Sequence, residues 1–213
     1  MKLKEWIPLR LIGLASKSRG RQELYNKARL NYIHLPPKVN EKEIIDEIEP
    51  KSPKNIVVEL AKEKANNLFS AFKSLGADIV VASDTIVYDE EEDKIIGKPK
   101  NISEAIKTIN YLNGRAHKIY SSVVVKLCEK KIFADYDVTK VWIARLEQKE
   151  IKQYIEKFKP FYYAGGYEVI GLSSFFVTKI EGNVTTVIGL PMHKLYTLIK
   201  KSGYNWFEFI KVN

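Results

Sequence analysis

Hydrophobic positions recur along this chain at two spacings, and their order predicts the elements. The short run "RLIGLA" (Arg10 to Ala15) is nearly all apolar and reads as a buried strand. A helix from about Ser18 to Ala28 follows, with Ser18 placed to cap it. "YIHLPP" ends a second strand at two prolines, and "KVNEKEIIDEIEPKSP" reads as an acidic connection. Ser52 and Pro53 then open a long helix that Gly76 closes, with an apolar stripe through Val57, Leu60, Ala61, Ala65, Leu68 and Phe72. "DIVVASDTIVY" gives two β-branched halves broken at Ser83-Asp84-Thr85, and an acidic turn at Asp89 to Lys94 predicts a hairpin. A helix from Ser103 stops at Asn113-Gly114, and two long strands turn at Glu129-Lys130. Another helix covers about Glu147 to Lys157, and a Tyr/Gly-rich loop runs from Phe161 to Tyr167. A strand pair turning at Glu181-Gly182-Asn183 is predicted next, and Gly189-Leu190-Pro191 opens a last helix to Ser202.

Alternating strands and helices, followed by hairpins, predict an α/β protein with a mixed sheet. There is no repeat, low-complexity segment or dividing linker, so residues 1–213 are expected to form one domain of two lobes sharing one sheet, with a site in the central cleft. Composition changes this picture little. Apolar residues make up 45% and charged residues 29%, which suits a soluble globular chain and excludes disorder. The net charge of +9 favours anionic partners without naming one. A single cysteine, Cys128, rules out an intramolecular disulfide or a zinc-type cluster and fits a reducing cytoplasm. "MKLKEWIPLRLIGLA", broken by Pro8 and Arg10, is too short an apolar run for a leader or a membrane span.

Several residues sit badly in this pattern. Lys64 falls on the apolar stripe, four residues from both Leu60 and Leu68; from the helix alone a snorkelling lysine is the commoner explanation. Asp84 interrupts two strand halves that both ask for burial. It either caps a bulge or serves a ligand site at a strand break, where a buried carboxylate needs pairing. Lys98, between Gly97 and Pro99, reads locally as an exposed turn lysine, and Glu41 is one acid among several. Arg115 and His117 follow a helix-ending glycine and read as loop residues. "LASKSRGRQEL" ends a strand with small residues and a fan of cations, Lys17, Arg19 and Arg21. No P-loop, GxGxxG, HExxH or GxSxG occurs.

Taken together these segments resemble one family. "LASKSRGRQEL" is similar to the LASxSPRRxELL start of the Maf-type nucleoside triphosphate pyrophosphatases (septum-formation Maf-like proteins). "VNEKE", "AKEKA", "ASDTIV", "IIGKP", "LNGRAHKIYSS", "AGGY" and "VIGLP" follow in that family's order and spacing. The resemblance implies an elongated mixed sheet flanked by helices, with a fold like that of the inosine-triphosphate pyrophosphatases, in a cytoplasmic homodimer. It implies hydrolysis of nucleoside triphosphates to monophosphate and pyrophosphate with a divalent metal, Mg²⁺ or else Mn²⁺ or Co²⁺, as house-cleaning of the nucleotide pool. It assigns Asp84 as proton acceptor, and Ser16, Arg21, Lys64 and Lys98 as phosphate contacts. Thr85 and Arg115 are added as substrate contacts, and Glu41 with Asp84 as metal ligands. Such a role explains the opening fan: small residues let a strand-to-helix turn approach phosphate, and helix amides and Arg21 meet its charge.

The chain also departs from the family pattern. Arg19 and Gly20 replace its proline and first arginine, Tyr163 replaces a lysine, and Ile170 replaces a glutamine. Of the positions tied to base selection, Gly20, Thr85 and Ile170, only Thr85 keeps the pattern, and Ile170 lacks the hydrogen bonds of an amide. The resemblance therefore leaves the preferred base open, between the dTTP/UTP branch and the 7-methyl-GTP branch alike. A competing class is a nucleotide- or nucleic-acid-binding regulator of cell division without turnover, which twelve tyrosines and the basic charge permit. A lone carboxylate among phosphate cations speaks for catalysis, so neither nucleic acid nor a membrane is the expected partner.

Overall fold

The computed structural model describes residues 9–211, and most of the N-terminal stretch judged too short for a leader or span lies outside them. The strands are β1 (Ile12–Ala15), β2 (Tyr32–Leu35), β3 (Ile79–Ala82), β4 (Thr85–Asp89), β5 (Lys94–Ile96), β6 (Ala116–Cys128), β7 (Lys131–Ile143) and β8 (Val177–Glu181). The helices are α1 (Arg19–Lys27), α2 (Glu41–Glu47), α3 (Pro53–Ser74), α4 (Ile102–Leu112), α5 (Gln148–Phe158), α6 (Val184–Ile188) and α7 (Met192–Lys201). The strands make one mixed sheet in the order β2-β1-β3-β6-β4-β5, with β7 pairing β6 and β8. The fold class expected from the sequence, a mixed-sheet α/β protein, is what the structure contains.

The chain divides into two compact units, and β6 and β7 give residues to both. The first holds residues 1–84, 122–136 and 190–213. Its parallel strands β2, β1 and β3 continue antiparallel into the Val124–Lys126 part of β6. Strand alternation sends Ile12, Leu14, Ile79, Val81, Val123 and Val125 to one face, where they join Tyr25 of α1 and Leu195, Leu198 and Ile199 of α7. Ala15, Val80, Ala82 and Val124 go to the other face, against Ala61, Ala65, Phe69 and Phe72 of α3. Gly13 explains how closely α3 can lie: a Cβ there would sit 2.4 Å from the Phe72 ring. In the second unit, residues 85–121 and 137–189, Val87, Ile119, Val141 and Ile143 of the strands pack on Ala105, Ile109 and Leu112 of α4 and Ile151, Tyr154 and Ile155 of α5.

The structure corrects the sequence reading in two elements. The acidic connection contains α2, whose half-buried Ile44 and Ile45 pack with Ile48, Ile56 and Leu60 and whose first turn carries Glu41 and Glu43. Glu41 and Glu43 lie where the helix dipole favours negative charge, while Asp46 and Glu47 end the helix. The predicted strand pair at residues 177–188 is one strand and one helix. β8 pairs with β7, while the Asn183 side chain accepts from the Thr185 amide and turns the β-branched run "VTTVI" into α6. Among the described residues no helix is long and apolar enough to cross a membrane.

Candidate active site

The break between β3 and β4 is built by β6. β3 pairs with its Val124–Lys126 part and β4 with its Lys118–Ser121 part, which leaves Ser83 and Asp84 between the two pairings. Ser122 holds them there. Its hydroxyl accepts from the Asp84 amide at 3.1 Å and donates to the Val57 carbonyl of α3 at 2.6 Å, while its own amide donates to the Asp84 carbonyl at 3.0 Å. The backbone of Asp84 is thus satisfied without its side chain, and the carboxylate is left for other work.

That carboxylate is buried and meets Lys64, whose Nζ donates to Oδ1 at 2.5 Å. The same ammonium lies 2.7 Å from Oε1 of Glu41, which is 55% exposed. Position on the stripe of α3 is what buries Lys64: Leu60, Ala61 and Ala65 of the same helix are buried with it, and its charge is met by two acids. The snorkelling explanation that the helix alone favoured is therefore replaced by an inward-pointing cation.

Arg21 reaches the same cluster from α1. Ser18 caps that helix by accepting from the Arg21 amide, and the buried Arg21 guanidinium donates from Nη1 to the Ser16 hydroxyl at 3.3 Å. Burial pushes the guanidinium below its ordinary value, while Asp84 and then Glu41 push it back up. Burial likewise raises the Asp84 carboxyl above the ordinary aspartate value, against the pull of Lys64 and Arg21. Both effects are the mark of charge held out of water, where a proton acceptor with an elevated pKa is more basic than a solvated carboxylate. Ser16, Arg21, Glu41, Lys64 and Asp84 are therefore one cluster of hydroxyl, two cations and two carboxylates. Gly20 occupies the second position of α1 beside it.

The remaining expected residues belong to the second unit, and each has its own surroundings. Thr85 opens β4, with Oγ1 2.9 Å from Ser121 Oγ and donating to the Gly189 carbonyl at 3.3 Å. Lys98 is exposed just after β5. Arg115 is paired with Asp89 at 3.0 Å and Glu91 at 3.1 Å. Ile170 is 52% exposed, and Tyr163 stacks on Phe158 with ring centroids 5.7 Å apart. His117, read as an exposed loop residue, is buried in β6, where Nε2 lies 2.6 Å from the Tyr167 hydroxyl; strand alternation points it inward. Ser122 went unrecognised as the clamp of Asp84, although a polar pair ahead of "VVVK" in a buried strand is the kind of anomaly that signals one.

The family profile described as Maf-like protein matches residues 11–202. A dTTP/UTP pyrophosphatase of Caldanaerobacter subterraneus subsp. tengcongensis is 40% identical over 197 residues, 92% of this chain and 91% of its own length. One from Carboxydothermus hydrogenoformans is 37% identical over 194 residues, 91% of this chain and 99% of its own. Among solved structures, a HAM1 protein from Coxiella burnetii aligns over 65% of this chain and 75% of its own, with 21% identity and a TM-score of 0.42. On the extent of the family match and the identity of these relatives, the chain belongs to the Maf-like protein family.

Proposed function

We propose that this chain is a nucleoside triphosphate pyrophosphatase. Water attacks the α-phosphorus, the bond from that phosphorus to the oxygen bridging to the β-phosphate breaks, and monophosphate and pyrophosphate leave. The observation that carries this reading is the buried Asp84 carboxylate held against Lys64 and Arg21 at a strand break. The names of the curated relatives, dTTP/UTP pyrophosphatases, support it.

In this reading Asp84 accepts the proton of the attacking water, a task its burial suits because an elevated pKa strengthens it as a base. Lys64 orients that carboxylate through Oδ1 and, with Arg21 and Ser16, meets phosphate oxygens. Thr85 and Lys98 are proposed as further substrate contacts. Arg115, whose charge is already met by Asp89 and Glu91, is given instead to holding the β4–β5 hairpin.

The cluster also fits a hard divalent cation. Arg21 and Lys64 balance Asp84 and Glu41, so its formal charge sums to zero, while a triphosphate brings about four negative charges. Among the described residues no group of three or more His, Cys, Asp or Glu converges into an all-protein cage. Mg²⁺ needs none, because one or two carboxylates with substrate phosphates suffice, and Glu41 and Asp84 are oxygen donors sharing one lysine. Such an ion would neutralise charge on the phosphates and on the leaving pyrophosphate. Single-domain organisation, a homodimer and a cytoplasmic, house-cleaning role complete the proposal. Preference for dTTP and UTP is left outside it, since Gly20 and Ile170 differ from the family's base-selecting positions.

The test is a panel of canonical and modified nucleoside triphosphates with Mg²⁺ or Mn²⁺, with products resolved by chromatography. Monophosphate and pyrophosphate should appear, vanish with a chelator and return with metal. Orthophosphate instead of pyrophosphate would make this a phosphatase, and no turnover by folded protein would favour the binding regulator.

A further inference from the structure

α1 is followed by an arginine where glycine would be less strained. Ala28 closes the helix, and Arg29 then takes a left-handed conformation with φ of 54°, a place most often given to glycine or asparagine because a Cβ is crowded there. Backbone bonds hold that turn on both sides. The Arg29 amide donates to the Asn26 carbonyl at 3.0 Å, and the Arg29 carbonyl accepts from the Lys211 amide at 2.8 Å. Leu30 bridges Ile210 in antiparallel sense, so Arg29 and Lys211 stand directly opposite one another. Both belong to a concavity of about 260 Å³, lined by Asn26, Arg29, Leu30 and Lys211. No carboxylate is part of that lining, and among the described residues neither cation forms an ion pair. Asn26 accepts from the Tyr32 hydroxyl at 3.0 Å through Oδ1, which leaves its Nδ2 as a donor.

We propose that this concavity binds a phosphate oxyanion, as a free ion or carried by a mononucleotide. Its polar side chains are a guanidinium, an ammonium and an amide, and what they offer a ligand is N–H donors and a formal charge of +2. A guanidinium fork matches two phosphate oxygens at once, and an ammonium meets a third as a point charge. Like charges directly opposite across a bridge repel, and a bound dianion would offset both. The space falls just short of drug-sized pockets, which suits pyrophosphate or a mononucleotide better than a lone carboxylate. The site is also separate from the cluster around Asp84. Arg21 lies in the first turn of α1 and Arg29 eight residues on, about 12 Å along the helix axis. The inference stands whether or not the chain turns over a triphosphate.

The test is calorimetry on the full chain with inorganic phosphate, inorganic pyrophosphate and thymidine monophosphate as separate probes. One binding event should weaken by about tenfold or more in Arg29→Gly and again in Lys211→Met. Lys27→Met removes a cation of the same helix end that does not line the concavity, and should leave that event within about twofold. Arg29→Gly should not lower the melting temperature of the ligand-free protein, because glycine relieves the left-handed turn. If it does lower it, Arg29 is structural, and Lys211→Met alone decides. Binding of the inorganic probes would identify a free ion as the ligand, and binding of thymidine monophosphate alone would identify a mononucleotide. Unchanged binding in Arg29→Gly and Lys211→Met would place every bound anion elsewhere and overturn the proposal. Equal weakening by Lys27→Met would reduce it to general charge, and no binding of any probe by the unaltered protein would also overturn it.

Discussion

Asp84 and Asp89 are two aspartates of one short stretch, both buried at 8% and 3% exposure, and they answer burial in opposite ways. Burial raises the Asp84 carboxyl, and Lys64 and Arg21 do not bring it back to the ordinary value. Burial would raise Asp89 too, but there it is outweighed by the Tyr111 hydroxyl at 2.6 Å, the Glu91 amide at 3.0 Å and Arg115, so that carboxyl lies below the ordinary value. The difference lies in the donors. Asp89 is fixed by a hydroxyl and an amide of its own unit, which no substrate can draw away. Asp84 is met by the ammonium of Lys64 and the charge of Arg21, which in the proposed reaction an anionic substrate would compete for. Burial alone does not separate structural from chemical acids; the nature of the donors does.

The sharpest way to break this contrast is to neutralise each acid in turn. Asp84→Asn should lower kcat by about 10³-fold, within the range that a positioned proton acceptor contributes, and should not lower the melting temperature. Asp89→Asn should do the reverse, costing about 1–3 kcal/mol of stability through weakened bonds to Tyr111 and Glu91 while kcat stays within about threefold. Pyrophosphate release and thermal melts on both variants decide it, and equal damage to kcat would end the distinction.

Removing the cation tests the same idea from the other side. Lys64→Met leaves Asp84 buried without its nearest positive charge, so the carboxyl should hold its proton to higher pH. At neutral pH kcat should fall by about 10²-fold, part of it recovered as pH rises. The sign follows from the direction of the shift. In the proposed reaction activity needs ionised Asp84, so the acid limb of the wild-type profile should lie above the ordinary aspartate range, and Lys64→Met should move it higher still. Ionisation of Asp84 also costs the folded state stability as pH rises through that raised pKa, a slope that Asp84→Asn should abolish.

Much of this was legible in the sequence, for reasons that differ by residue. β3, β4 and the long hairpin of β6 and β7 follow from β-branched runs and turn residues, and α3 from its cap, proline and stripe. Asp84 and Lys64 were visible as violations: an acid between two buried strands and a cation on an apolar stripe break patterns that are otherwise kept. Their pairing was not visible, because the residues lie twenty positions apart and only the register of α3 against the sheet brings them together. Glu41 looked like any acid of its run, since what distinguishes it is the cation it reaches. α6 was misread because "VTTVI" favours a strand, and a cap from Asn183 overrode that preference.

His117 offers a smaller test, in a unit where stability and not turnover should respond. Burial pulls its imidazole down to about 4 from an ordinary value near 6.5. The folded protein therefore keeps it neutral while the unfolded chain takes up a proton, so stability should fall as pH drops from about 6.5 to about 4, by on the order of 3 kcal/mol at most. Replacing His117 with glutamine should flatten that slope in denaturant melts, without moving the acid limb of kcat that Asp84 sets. A limb that moved with His117 would mean that the buried polar groups of the two units are not independent.

The smallest expected effect falls to Arg115, the residue on which family resemblance and local geometry point in different directions. Its guanidinium already bridges Asp89 and Glu91, lies over the Tyr111 ring at 5.0 Å, and is partly open to solvent. Ion pairs that exposed contribute little and are screened by salt. Asp89 would keep its bonds to Tyr111 and Glu91 without it. Arg115→Met should therefore lower the melting temperature by less than about 3 °C, and less again at high salt, with KM for the triphosphate within about twofold. A KM raised tenfold would instead return Arg115 to the phosphate contacts. It would also mean that an arginine paired with two carboxylates can still be given up to substrate, as is proposed for the cations around Asp84.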